Sequence, residues 1–345
     1  MSSRVQPRDG LAPAPERILH GGRLDEARRL FPNTPAPWID LSTGVSPRAY
    51  PLPPLAAEAW TRLPDADTLA ALETAAARAY AAPPHVQVVA GAGTQAIIQW
   101  LPRVVPARRV ATLGFTYAEH AASWRASGAR VDCMSDLDEL ENFDVAIVVN
   151  PNNPDGCVVP PDRLMALGRR MGLRGRLLVV DEAFVDFTPE QSLVPHMPVG
   201  GVLALRSFGK AYGLPGLRLG FALCSGALAE PLRAAMGPWS VAGPALAVGA
   251  VALADAAWLM TSARERRGAA MRLDALLHEA GFAVVGGTSL FRLASHERAP
   301  DWFEHFCVRG ILTRRFAERP AWLRLGAPGS PEAWRRLALA LEERP

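Results

Sequence analysis

From Pro84 to about Ser225 the chain alternates short apolar runs with helical stretches, and that rhythm restricts the fold more than any other feature. Gln87-Val88-Val89, Arg109 to Leu113, Val145 to Val149, Leu177 to Val180 and Val202 to Leu205 read as strands. Ala96 to Leu101, Tyr117 to Ser127 and Pro161 to Met171 read as helices between them. Such alternation implies an α/β fold, with a mostly parallel central sheet and helices on both faces. Ligands of such sheets bind in the crevice beyond the strands' carboxyl ends. The residues just after each strand therefore carry the functional reading.

Val202 to Leu205 leads into Ser207-Phe208-Gly209-Lys210, with Arg218 eight residues further on. A lysine among small residues in a tight, mostly dry turn loses part of its preference for the charged form, which suits an amine that must form a Schiff base. Arg218 adds a fixed cation and Ser207 a hydroxyl. Together they read as the covalent lysine and phosphate cradle that pyridoxal phosphate (PLP) needs. Leu177 to Val180 ends in Asp181, a carboxylate able to pair with the pyridine nitrogen and keep it protonated. Glu182, its neighbour, is expected to point the other way into a structural ion pair. Val145 to Val149 ends in Asn150-Pro151-Asn152-Asn153-Pro154-Asp155-Gly156, where an Asn amide can reach the 3′ oxygen of the ring. Gly91, Gly93 and Thr94 open a helix and offer free N–H groups to a phosphate. Tyr117, after Arg109 to Leu113, reads equally as a ring that stacks on PLP or as a core aromatic. Each segment is weak alone. The order Asn153, Asp181, Lys210, Arg218, each after its own strand, is specific.

That order resembles the fold type I PLP-dependent enzymes of the aspartate aminotransferase superfamily, from about Ile18 to the C-terminus. It is most similar to the branch holding histidinol-phosphate aminotransferases and the L-threonine-O-3-phosphate decarboxylases of cobalamin biosynthesis. The decarboxylase side is favoured by His20-Gly21-Gly22, by Trp38-Ile39-Asp40-Leu41-Ser42-Thr43-Gly44-Val45-Ser46-Pro47, and by Gly310 to Phe316 with Trp322 to Gly326. Asp181-Glu182-Ala183-Phe184, with Phe where the aminotransferases usually carry Tyr, points the same way. The resemblance implies that Lys210 bonds PLP, Asp181 pairs with its ring nitrogen and Tyr117 stacks, these three being catalytic. It implies that Gly93, Thr94, Ser207 and Arg218 hold the cofactor phosphate, and that Asn153 contacts both the 3′ oxygen and the substrate. His20, Gly21, Gly22, Arg314 and Arg324 would hold the substrate's anions. It also implies a homodimer. Three positions depart from the pattern. Gly209 precedes the lysine where many relatives have a hydroxyl, and Asp155 replaces a Thr. Leu63-Pro64-Asp65 stands where many relatives have Tyr-Pro-Asp, whose Tyr reaches the neighbouring subunit's cofactor phosphate.

The expected reaction is decarboxylation of L-threonine O-3-phosphate to (R)-1-aminopropan-2-yl phosphate. A histidinol-phosphate-type aminotransferase and a non-catalytic PLP-fold binding protein are the alternatives. A planar guanidinium grips carboxylate or phosphate bidentately, which is the role the resemblance gives Arg314 and Arg324; read alone, both are more simply surface arginines among the 37 basic residues. Arg315 is set aside because strand alternation points it oppositely. The flexible Gly21-Gly22 pair is expected to lay N–H groups on an oxyanion beside His20.

The remaining sequence narrows the setting. The 37 basic and 34 acidic residues are scattered, without the basic block of a nucleic-acid binder. Cys133, Cys157, Cys224 and Cys307 are widely spaced with no CxxC, so neither a metal site nor a disulfide framework is expected. Met1 to Pro15 carries charges and prolines where a signal peptide needs an apolar stretch, and Ala245 to Met260 is short and interrupted by Asp255. A cytoplasmic protein without membrane contact is the expectation. Residues 1–17 are expected to be disordered, 18–45 to pack with a small domain, 46–240 to form a large PLP-binding domain, and 241–345 the small C-terminal domain. Gly243 to Ala280 reads as long helical structure linking the two.

Overall fold

The computed structural model describes residues 20–345; residues 1–17, expected to be disordered, lie outside that range. A seven-stranded sheet forms the centre. Its order is Val86–Gly91, Gly220–Ser225, Val202–Ser207, Leu177–Asp181, Val145–Val149, Arg109–Leu113, Arg130–Met134. Gly220–Ser225 pairs antiparallel with both neighbours, and every other pairing is parallel.

The strands form where the sequence places β-branched and aliphatic residues in unbroken runs, as expected of a sheet covered on both faces. Period-two alternation then sorts the side chains. Ala146, Val148, Leu178 and Val180 face a core shared with Leu72 and Ala76 of the Ala66–Ala79 helix and Leu164 and Leu167 of the Pro161–Gly172 helix. Val145, Ile147, Leu177 and Val179 face the opposite core, closed by Ile97, Ile98 and Leu101 of the Thr94–Val104 helix and by Trp124. Burying one such aliphatic side chain is worth about 1.5–3 kcal/mol. A charge at Val180 would reverse that on the strand that presents Asp181. Five parallel strands and the start of the antiparallel one bring their connecting segments to one edge, where Lys210, Asp181, Asn153, Tyr117, Gly93 and Arg218 gather.

A four-stranded antiparallel sheet of Arg314–Arg315, Trp322–Leu325, Phe291–Ser295 and Ala283–Thr288 has its own core, built from Trp302, Phe306, Leu323, Leu325 and Leu337. Ile39–Asp40 pairs in parallel with Ile311–Leu312, and Leu41 joins this second core. The N-terminal segment is thus sewn to the C-terminal one. One local expectation changes. Gly243 to Ala280 is two helices, Gly243–Ala254 and Ala256–Glu279, bent by 79° where Asp255 leaves helical geometry and its carboxylate caps the Trp258 N–H. Ile311–Leu312 belongs to the two-stranded pair and Arg314–Arg315 to the four-stranded sheet. Among the described residues no single helix is long and apolar enough to cross a membrane.

Candidate active site

Gly93, Thr94, Gln95, Tyr117, Asn153, Asp181, Phe184, Ser207, Lys210 and Arg218 line one pocket at that sheet edge. Lys210 lies in a single helical turn, Phe208–Ala211, just after its strand. Its Nζ donates to the Thr43 carbonyl at 3.3 Å and sits 5.3 Å from the Phe184 ring centre. Burial, followed by the nearby Arg324 guanidinium, lowers its pKa from 10.5 to about 8, with Asp181 opposing. A free amine is therefore accessible near neutral pH.

Alternation across the sheet separates the two acidic neighbours. Asp181 Oδ2 lies 2.8 Å from His120 Nε2, with both side chains buried, and Oδ1 accepts the Ala183 N–H at 3.0 Å. Glu182 turns to the opposite face, bonding Ser192 at 2.6 Å and Arg206 at 3.3 Å. That is the structural ion pair expected of it. Arg206 also bonds Asp186, so one guanidinium serves two carboxylates in the cluster behind the site, and burial raises the Glu182 pKa.

The opposite end of the pocket is a cradle of donors. The Thr94–Val104 helix begins at Gly93 with no side-chain cap, leaving its first N–H groups directed outward. Gly93 has φ +81° and ψ 159°, and a Cβ there would come within 2.8 Å of Arg218 Nη2. Only glycine combines that backbone with that approach. Arg218, itself left-handed at φ 53°, donates to the Pro215 carbonyl at 3.0 Å and meets no carboxylate.

The substrate-side candidates come from three distant segments. Arg324 is buried. Its Nη1 donates to Asn153 Oδ1 and its Nη2 to the Ser42 carbonyl at 2.7 Å, while Nε has no partner. Burial and the adjacent Arg314 lower its pKa to about 9. Arg314 lies opposite Arg324 in the sheet register, with its guanidinium 5.2 Å from the Phe316 ring and its pKa lowered by burial. Arg315 is exposed and covers Phe303 instead. His20 is exposed, 2.8 Å from Glu119, with its ring centre 6.2 Å from that of Tyr117. The glycines beside it differ from expectation. The Gly22 N–H is spent on Ser42 Oγ at 2.7 Å, and Gly21 packs so closely on the Ser42 carbonyl that a side chain has no room. The Gly22 N–H is therefore not free for an oxyanion, while Gly21 lines a cavity with His20 and Arg314.

A protein family model, aminotransferase class I and II, matches residues 44–341. The chain belongs to that family. Threonine-phosphate decarboxylases from Pseudomonas aeruginosa and from a Sinorhizobium species are 44% and 42% identical to it, each across 94% of this chain and 97% of the relative. The solved histidinol-phosphate aminotransferase from Sinorhizobium meliloti, in complex with pyridoxal-5′-phosphate, superposes with a TM-score of 0.81. It shares 21% identity over 99% of this chain and 98% of that one, a likeness of fold.

The pocket fits the cofactor of this family. An anion-free guanidinium and uncapped helix start stand at one end, a buried carboxylate at the other, and a low-pKa lysine between them. Residues of this aminotransferase fold that sequence reading missed are His120, Gln95 and Glu119. His120 stands one turn beyond Tyr117 on the Ala118–Ala126 helix, its ring 6.0 Å from Tyr117 and nearly perpendicular. That i, i+3 spacing is the signal that would have found it.

Proposed function

We propose that this chain decarboxylates L-threonine O-3-phosphate to (R)-1-aminopropan-2-yl phosphate in cobalamin biosynthesis, with PLP bound at Lys210. One observation carries the reading: Arg324 is buried beside Arg314, with only neutral oxygens as partners. A desolvated guanidinium next to a second one is costly until an anion arrives. Two guanidiniums and an imidazole suit a substrate bearing both carboxylate and phosphate. The two relatives at 44% and 42% identity, threonine-phosphate decarboxylases by name, support the same choice.

Each residue then has a task. Arg218, Ser207, Thr94 and the Gly93 turn anchor the cofactor phosphate. Asp181, held by His120, would pair with the ring nitrogen, Tyr117 would cover the ring, and Asn153 would contact its 3′ oxygen. Bound PLP supplies an electron sink conjugated to the substrate's Cα. Arg324 shares Asn153 with the cofactor side, so it takes the carboxylate, while Arg314 and His20 take the phosphate. This grip would fix how the substrate's carboxylate is presented to the cofactor, and Lys210 would be the amine placed to return a proton to Cα. An aminotransferase would hold the Cα–H bond in that place, so substrate orientation selects the reaction.

The second subunit and setting follow the same reading. Leu52, Trp60 and Leu63 are large, exposed and clustered in sequence, which supports a homodimer burying them. The division into residues 18–45, 46–240 and 241–345 and a cytoplasmic location complete the proposal. The test is to incubate pure protein with threonine phosphate and assay carbon dioxide and keto-acid product separately. Carbon dioxide release without a keto-acid acceptor is expected. Amino transfer from histidinol phosphate to 2-oxoglutarate, with threonine phosphate untouched, overturns the reading.

A further inference from the structure

Glu119 lies in the first turn of the Ala118–Ala126 helix, between Tyr117 and His120, and none of the tasks above falls to it. Its oxygens are divided between two directions. Oε1 lies 2.8 Å from His20 Nε2, and Oε2 accepts from Gln95 Nε2 at 2.7 Å and Gln99 Nε2 at 3.3 Å. Gln95 Oε1 in turn accepts from the Tyr117 hydroxyl at 3.0 Å. The donor inventory fixes the sense of this relay. A carboxylate only accepts, so Gln95 must present its amide N–H to Glu119 and its carbonyl to Tyr117. A carbonyl only accepts as well, so the single hydroxyl proton of Tyr117 is spent on Gln95. The phenol oxygen is left with lone pairs alone for the pocket.

We propose that Glu119 is a positioning residue that anchors the Tyr117 ring over the cofactor site, through Gln95 and the phenol hydroxyl, and fixes His20 at the substrate side. The His20 branch rests on the function proposed above; the Gln95–Tyr117 branch does not. Tyr117 is then no proton donor in the reaction, which leaves that task to Lys210. One helical turn thus braces both ends of the site: His120 holds Asp181, and Glu119 orders Tyr117 and His20.

The test uses PLP-loaded protein and two readouts. In the first, without substrate, the cofactor dissociation constant and visible circular dichroism are measured for Glu119→Gln, Tyr117→Phe and the double variant. A glutamine at 119 also donates, so Gln95 can turn over, and the Tyr117 hydroxyl then loses the carbonyl that anchors its ring. Glu119→Gln should weaken cofactor binding about three- to tenfold, the scale of one hydrogen bond. The same change should have no further effect once Tyr117→Phe has removed the hydroxyl. Gln95→Leu, a second variant in case Glu119→Gln folds poorly, should reproduce the cofactor effect and leave KM unchanged. In the second readout, Glu119→Gln should raise KM for threonine phosphate about tenfold. That increment should persist in a Tyr117→Phe background and vanish in a His20→Ala background. Equal cofactor effects with and without the Tyr117 hydroxyl, or no change in either readout, overturn the proposal. If threonine phosphate is not turned over at all, the function reading fails, and the substrate-free readout still decides the Tyr117 branch.

Discussion

The two halves of the candidate site are built on different plans, and they line two neighbouring cavities: Lys210, Asp181 and Arg218 one, His20 and Arg314 the other. The cofactor end takes Asn153, Asp181, Lys210 and Arg218 from one sheet, each beside the end of its own strand, over a core packed from both faces. The substrate end takes His20, Arg314 and Arg324 from the N-terminal segment and from a second sheet. Asp181 is paired with His120 and half-buried Lys210 donates to a carbonyl, whereas Arg324 has an unpartnered Nε and a like charge beside it. Each end keeps a cation without a carboxylate before any ligand arrives, Arg218 at the first and Arg324 at the second, but only at the second do two guanidiniums lie side by side. The first would hold the cofactor, and the second would choose the substrate and, by orienting it, the bond that breaks.

Four changes test that contrast, beginning with the most severe. Lys210→Ala removes the covalent amine and should cut turnover by roughly 10⁴-fold, the scale seen when one member of a catalytic unit is lost. Borohydride should fix PLP to Lys210 in wild type, as peptide mapping will report, and to no residue in the variant. Arg324→Ala should cost about 2–5 kcal/mol in substrate binding while leaving the bound-PLP spectrum nearly intact. A matching loss of cofactor would show that the two ends are not separable. Gly93→Ala forces a side chain into a glycine-only conformation against Arg218, at a cost of about 1–3 kcal/mol, and should weaken cofactor binding with little change in KM. Equilibrium dialysis against PLP measures it.

The mildest effect probes the charge linking the two ends. Lys210 must lose its proton to capture PLP, so the capture rate of cofactor-free protein should rise with pH through about 8. Arg324 favours the neutral amine, so Arg324→Met should move that midpoint upward, toward the ordinary lysine value of 10.5. A midpoint that stays in place or falls would deny the coupling.

The same contrast governs what the sequence discloses. Asp181 and Glu182 were legible as pointing to opposite faces because a two-residue period is a local rule, and the same holds for Arg315 turning away from Arg314. Lys210 and the Gly93 turn were legible because each follows a strand that its own residues declare, whereas Arg218, expected after a strand of its own, shares the Lys210 connection and precedes the antiparallel Gly220–Ser225 strand. Contacts across chain distance were not. Nothing near His120 announces Asp181, and nothing near Glu119 announces His20 or Gln95. The glycines after His20 misled for a related reason, since their use depends on Ser42, which reaches them only once Ile39–Asp40 has paired with Ile311–Leu312. The break at Asp255 was visible as an interruption, but its 79° bend is set by packing on both sides.

Arg324 touches Asn153 from the loop after the central sheet and Ser42 from the N-terminal segment, while standing on a strand of the second sheet. Its side chain reaches its resting place only when all three parts have docked. During folding, the central sheet can close and capture its cofactor while this last junction is still open. Such a species would be yellow, compact and inert toward substrate. Recovery of colour and recovery of turnover after denaturation are therefore two clocks, and the interval between them times the docking of the chain's two ends.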